Sequence, residues 1–344
     1  MGTPLVTIVV PVLNGAAHLR ESLDSILAQT YSPIEVMVCD DGSTDETPEI
    51  IASYGSRVIH RRQPANLGIY DNVNNGITAA RGELVATYHA DDVYLPTIVE
   101  REVAFMRRYP EAGAVFCLDL WIDAEGREYG RLELPKDVSG DTPLPFRTVF
   151  DALLRHKNTF LVCPTAMVRA EIHREIGGYR QSLFRDSADL DMWIRIAEKC
   201  PIGVVAEHLM RYRHFHGSSQ HRYHYLRTMP DLYFAIMDGH LERGSGRGAA
   251  PDALVAYQAH RSEDHLMIAV AHYIKGQRAD ARASVGRARP LAILKSPSVR
   301  RARLLLLFVL MWTLARLPRL WPFARVFYRR WHKKKRPVGE PDAA

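Results

Sequence analysis

LVTIVVPVLN (residues 5–14), IEVMVCDD (residues 34–41) and ELVATYHADD (residues 83–92) decide the reading of this chain. Each holds a short apolar run, and the runs of Leu5–Val12 and Ile34–Cys39 are continuous enough for strands buried on both faces of a parallel sheet. The second and third end on paired aspartates, Asp40-Asp41 and Asp91-Asp92. Helical patterns lie between them. Leu19, Leu23, Ile26 and Leu27 recur at helical spacing after Asn14, which is placed to cap that helix. Ser43 with Glu46 reads as a capping box for the next one. Arg57–Arg61 reads as a short strand, Asp71–Arg81 as a helix closed by Gly82, and Glu83–His89 as the fourth strand. Leu95, Val99, Val103 and Met106 line another helix, and Gly113–Leu118 reads as a fifth strand. Strands alternating with helices predict an α/β fold: a doubly wound, mostly parallel, Rossmann-like sheet. Ligands of such sheets bind beyond the carboxyl ends of the strands, where both acidic pairs fall.

The chain has 344 residues, 47% of them hydrophobic and 24% charged, which excludes a disordered chain, a collagen and a polytopic membrane protein. Four widely spaced cysteines, with no CxxC, argue against a disulfide scaffold or a four-cysteine zinc site and fit reduced thiols in the cytoplasm. The N-terminal apolar run lacks a preceding basic stretch and reads as a strand, not a signal peptide.

The net charge of +6 conceals an asymmetry. Residues 281–344 hold 16 of the 45 basic residues but only two of the 39 acidic ones, so the tail is +14 and the remainder −8. A nucleic-acid partner is therefore not expected. Leu304–Ala315 is almost wholly apolar but short of the ~20 residues a span requires. Basic residues flank it, and Trp312, Trp321, Phe323, Phe327, Tyr328 and Trp331 alternate with arginines up to the closing Lys333-Lys334-Lys335-Arg336. That mixture predicts an interfacial segment on an anionic inner leaflet, hence a cytoplasmic protein held peripherally at the inner face of the plasma membrane. A helix packed on the protein's own core is the plainer alternative. Upstream, residues 121–155 read as irregular excursions, Ala188–Lys199 as a helix, Gly244–Gly248 as a linker, and residues 252–289 as an α-hairpin broken at Gly276.

The acidic pairs carry the chemistry. Neighbouring carboxylates repel unless a positive group compensates, so Asp91 and Asp92 suit a hard divalent cation. A solvated turn with helix-capping acids is the bland alternative. Asn66 and Gly68, then Asn74, lie between the two acidic pairs, and neither a Walker loop nor GxGxxG follows the first strand. A third pair, Asp189 and Asp191, could equally be an acidic first helical turn. His216 falls in a histidine-rich stretch without rigid metal-ligand spacing.

The order of these motifs resembles family 2 glycosyltransferases of the GT-A fold. The matching pieces include VTIVVPVLN (6–14), SILAQTY (25–31), VCDDGSTD (38–45), Asn66-Leu67-Gly68, Ala80-Arg81-Gly82-Glu83, Ala90-Asp91-Asp92, Gly177-Gly178-Tyr179 and DLDMW (189–193). Together they cover roughly residues 5–220. The resemblance implies a GT-A domain over 1–220, with a nucleotide-sugar half (1–120) and an acceptor half (121–220). A helical linker and α-hairpin (221–290) and a basic amphipathic tail (291–344) would follow. It implies that Pro11, Asn14, Asp41, Asn66, Gly68, Asn74 and Asp91 border the nucleotide-sugar. Asp92 and Asp91, with His216, would hold Mn2+ or Mg2+, and Asp189 would be the general base. His89 stands where many relatives carry an acid.

The implied activity is inverting, metal-dependent transfer of a sugar, by default from a UDP-sugar. The acceptor would be a glycan or a lipid-diphosphate-linked one in surface polysaccharide synthesis. Chain order places the acceptor side around Asn158–Thr165 and Gly177–Arg185. A nucleotidyltransferase and a catalytically silent, membrane-associated scaffold that binds nucleotide-sugar are the competing readings. Gly15-Ala16-Ala17 after Asn14 argues against the first, and the retained aspartates against the second.

Overall fold

A computed structural model describes residues 2–214, 227–295 and 301–317. The chain divides into two compact units, Met1–Ser219 with Ile236–Ala249 and Gln220–Ala235 with Ala250–Ala344.

The first unit is built on one sheet that holds nine strands among the described residues. Its N-terminal half follows the expected alternation: β1 (Val6–Val12), α1 (Leu19–Leu27), β2 (Ile34–Asp40), α2 (Thr47–Ala52), β3 (Ile59–Arg62), α3 (Ile69–Ala79) and β4 (Leu84–Thr87). These strands are parallel in the order β3-β2-β1-β4. Every residue of β1 is buried, as a strand covered on both faces requires. The register sets Val12 beside Asp40, so the strands that carry the first acidic pair end together.

The second half departs from pure alternation. It contains β5 (Val93–Tyr94), α4 (Ile98–Arg108), β6 (Ala114–Ile122), β7 (Glu128–Arg131), α5 (Phe146–His156), β8 (Ala166–Arg169), α6 (Ala170–Ile176), α7 (Gln181–Phe184), α8 (Ala188–Lys199) and β9 (Ile202–Arg213). β8 enters antiparallel between β4 and β6, β9 runs parallel to β6, and β5 pairs antiparallel with the end of β9. The sheet is thus mixed, with most of its paired register parallel.

Residues 121–155 are more ordered than the sequence reading expected. β6 extends to Ile122, β7 pairs with it, and α5 buries Val149, Phe150, Leu153 and Leu154. Those four positions repeat at helical spacing, a signal masked by the prolines just upstream. The third strand lies at Ile59–Arg62 rather than at Arg57–Arg61, because Gly55–Arg57 forms a 3-10 turn.

The second unit contains the expected hairpin, Pro251–Ile274 and Arg278–Arg287, with Gly276 at φ 80° in the break. Pro290–Lys295 and Arg301–Leu314 complete it. Met311 joins a cluster with Ala269, Tyr273, Ala281 and Val285, and Leu304 joins another with Leu266, Ala288 and Ile293. Leu306, Val309, Leu310 and Trp312 remain exposed on the same helix. Among the described residues no helix is long and apolar enough to cross a membrane. Most of the aromatic-basic tail, residues 318–344, lies outside the described residues.

Candidate functional site

The loops after β1 and β2 are tied to one another. Asn14 has φ 52°, its N–H donates to Ser43 Oγ at 2.9 Å, and its Oδ1 accepts from Thr44 N at 2.8 Å. These contacts overturn both capping expectations. Asn14 and Ser43 hold each other's loops, while α1 and α2 begin after His18 and Glu46 with no side-chain cap. A polar side chain across a gap competes with local capping, and here the tertiary partner wins. Pro11 is buried in the ladder opposite Cys39.

Asp41 reaches the next loop. Its carboxylate accepts from Leu67 N at 2.8 Å and from Gly68 N at 2.9 Å. Burial raises the Asp41 pKa, and the two backbone donors pull the other way. Asn66 Oδ1 also accepts from Gly68 N. Gly68 is required by its φ of 94°, and a Cβ there would displace the Gln181 amide, 2.3 Å away. Gln181 Oε1 accepts from Tyr70 N at 2.8 Å while its Nε2 donates to Leu67 O at 2.7 Å. A residue of the expected acceptor half thereby latches a loop of the donor half. Asn74 works similarly: its amide donates to Tyr179 O and accepts from Tyr179 N, so it positions Gly178-Tyr179.

At the end of β4, His89, Asp91 and Asp92 each offer a ligand atom, and these atoms lie within 4.8 Å of one another. Asp92 is fully buried; its Oδ1 accepts from Arg213 N at 2.8 Å, and its Oδ2 has no hydrogen-bond partner. Burial first, and Asp91 second, push the Asp92 carboxyl well above the usual range. The half-buried His89 imidazole is pushed down by desolvation, against the pull of Asp91. Arg213 ends β9 here, with Nε donating to Asp91 O at 2.9 Å and an ion pair to Glu21 at 2.6 Å. His216 lies outside the described residues.

Asp189 sits in the first turn of α8. Burial pushes its carboxyl up to about 6, countered by backbone donors at Leu190 and Asp189 and by the Tyr70 hydroxyl. Tyr70 stacks on Tyr179 with centroids 4.9 Å apart. The Cys163 thiol feels the Asp189 charge, and the Tyr94 and Tyr212 hydroxyls feel both that thiol and the Asp91 and Asp92 charges. Asp191, two residues on, takes another side of the helix. It is fully buried, with Arg195 Nε at 2.8 Å, His240 Nε2 at 3.3 Å and Arg180 at 3.6 Å. Arg195 in turn donates to Ile176 O and Gly178 O. The two α8 acids thus differ: the Asp189 carboxyl is pushed up to about 6, while that of Asp191 is held below its usual range.

The structure therefore gathers Asn14, Asp41, Asn66 and Gly68 into one set of interlocked loops, and Asp91 with Asp92 and His89 into a cluster whose ligand atoms lie within 4.8 Å of one another. The sequence reading missed His89 as a member, together with Arg213, Gln181 and Tyr70. Only His89 carried a local signal, its place two residues before Asp91.

A strand-end acidic cluster on this mixed sheet defines a GT-A type nucleotide-sugar fold, and solved structures share it. S. aureus TarS 1–349 in complex with UDP aligns over 95% of this chain and 91% of its own, at TM-score 0.59 and 15% identity. The mannosyltransferase PcManGT from Pyrobaculum calidifontis, in complex with GDP-Man and Mn2+, aligns over 97% and 89%, at TM-score 0.52 and 18% identity. The family model described as Glycosyl transferase family 2 matches residues 7–177. Putative glycosyltransferase EpsE of Bacillus subtilis is 30% identical over 201 residues, 57% of this chain and 68% of that protein. The chain belongs to glycosyl transferase family 2. It spans 35% of the length of an uncharacterized Rickettsia felis glycosyltransferase and 64% of one from Rickettsia prowazekii.

Proposed function

We propose that the protein is an inverting glycosyltransferase that moves a sugar from a nucleotide-sugar to a hydroxyl of a glycan or lipid-diphosphate-linked acceptor. One observation carries this reading. A carboxylate cluster whose buried member, Asp92, keeps an orphaned oxygen lies in the same compact unit as a carboxyl pushed up to about 6, Asp189. Family membership and the UDP and GDP-Man bound by the two structural neighbours support the donor class, with a UDP-sugar the default.

Asp91, Asp92 and His89 fit a hard divalent cation, Mn2+ or Mg2+, since three ligand atoms converge and one is buried without a partner. When bound, that ion would offset the charge building on a departing nucleoside diphosphate. Pro11, Asn14, Asp41, Asn66 and Gly68 border the nucleotide, and Asn74 positions the loop beside Asp189. Asp189 takes the proton of the acceptor hydroxyl as that oxygen bonds to the anomeric carbon. The bond from that carbon to the diphosphate oxygen breaks in the same displacement, its electron pair leaving with the diphosphate. One displacement inverts configuration, and no second carboxylate nucleophile is needed.

The exposed Leu306, Val309, Leu310 and Trp312, with the arginines around them, support seating on an anionic inner leaflet and a role in surface polysaccharide synthesis. The decisive experiment is Asp189→Asn with a radiolabelled donor panel and NMR of the product anomer. Transfer should be lost with donor affinity retained, and wild-type product should be inverted. Turnover surviving in the variant, or a retained anomer, would reject the mechanism.

A further inference from the structure

A cavity of about 570 Å³ opens in the second unit, and its walls are cationic. Arg261, Arg287, Arg289 and His265 line it, and among the described residues its lining includes no carboxylate. Asp264, beside the wall along the chain, is paired with Arg227, which also lies 3.8 Å from Asp231. The wall is held in place by Ser262, which is buried, accepts from Arg289 N at 3.0 Å and donates to Gln258 O at 2.8 Å. The Arg261 guanidinium lies 5.9 Å from the centre of the Phe234 ring. Burial lowers the His265 pKa, and the Arg261 and Arg287 charges lower it further against Asp264. Clustered guanidinium groups around a concave, carboxylate-free surface concentrate anions, and their planar forks match phosphate oxygens.

We infer that this cavity is a phosphate-binding site, one that takes the phosphate of a lipid headgroup or of a soluble phosphate ester. Its size admits more than one phosphate group together with the atoms that bridge them. The lipid source is favoured by its neighbourhood. Leu266 and Ala288, each next to cavity residues along the chain, share a packed cluster with Leu304 of the helix whose other side exposes Leu306, Val309 and Leu310. A headgroup held by the arginines would therefore lie close to an apolar surface suited to its chains.

Gly286 provides a test that leaves the charges alone. It lines the cavity, and a Cβ there would meet no atom within 4 Å, so Gly286→Leu fills space without a clash at its base. The full-length protein is titrated with pyrophosphate in EDTA, which silences any divalent-metal site. It is also sedimented with phosphatidylglycerol or phosphatidylcholine vesicles. Gly286→Leu and the double variant Arg287→Glu/Arg289→Glu should each weaken pyrophosphate binding at least tenfold, with melting temperatures close to wild type. A parallel loss of phosphatidylglycerol binding, with competition by pyrophosphate, identifies the headgroup as the source. Loss of pyrophosphate binding with vesicle binding intact identifies a soluble phosphate ester. If wild type binds no pyrophosphate, or only the charge-reversed variant weakens, the cavity is no site and the inference falls.

Discussion

Asp92 and Asp191 are both fully buried carboxylates of the first unit, yet their surroundings are opposite. Asp92 has one backbone donor, an oxygen without a partner and an acidic neighbour, and its pKa is pushed well up. Burial works on Asp191 in the same direction, but hydrogen bonding from His240 and the Arg195 charge outweigh it, and its pKa falls. A buried carboxylate left unsatisfied costs stability that folding alone gives no reason to tolerate. One satisfied on every side is architecture. The contrast separates a carboxylate left unsatisfied from one held on every side, although both motifs look alike in the sequence.

The sharpest way to break this contrast is at Asp189, in the same helical turn as Asp191. Replacing it with Asn should reduce kcat by about 10²–10⁴-fold. In wild type the ionised form is the active one, so log kcat/KM should rise with pH and level off above the Asp189 pKa of about 6. A flat profile from pH 5 to 8 would remove Asp189 from the proton transfer. The same raised pKa means that the folded state loses stability as pH rises from the unfolded value of 3.8 through about 6. Asp189→Asn should therefore melt no lower than wild type at pH 7.5.

Asp191→Ala should do the reverse. Leaving Arg195 buried without its partner is expected to cost about 3–5 kcal/mol of stability in urea unfolding, while activity per folded molecule persists. Asp92→Asn should weaken Mn2+ affinity by roughly 10–100-fold in calorimetric titration and melt at or above the wild-type temperature. A clear drop in melting temperature would mean that Asp92 is structural too.

The smallest effect is expected at His240. Its pKa is raised by hydrogen bonds to Asp191 and Glu198, despite burial. Its contribution is complete below the unfolded value of 6.5 and is lost as pH rises through the folded pKa. Asp191, with its lowered pKa, contributes above 3.8 and loses that contribution as pH falls through its folded value. The network should be strongest between those limits. His240→Gln should cost roughly 1–2 kcal/mol at pH 5.5 and less at pH 8.5. A cost that is equal at both pH values would mean that the imidazole acts by shape alone.

The strand ends were legible because each acidic pair terminates its own apolar run, a signal contained within about ten residues. Ala188–Lys199 was legible for the same reason. The links between those segments were not. Arg213 meets Asp92 across 121 residues, and Gln181 meets Tyr70 across 111. Neither partner's type announces the other, since arginine and glutamine are ordinary surface residues until a fold brings them in. The helix caps expected at Asn14 and Ser43 failed for a related reason, because both side chains serve a contact about 30 positions away.

Gln181 makes the loop at Leu67-Gly68 and the segment leading to Asp189 mechanically one piece. For an engineer this means that these two segments are not separate modules. A graft of residues 177–189 from a homologue carries the latch with it and resets the Leu67-Gly68 loop, unless a glutamine and a glycine travel as a matched pair.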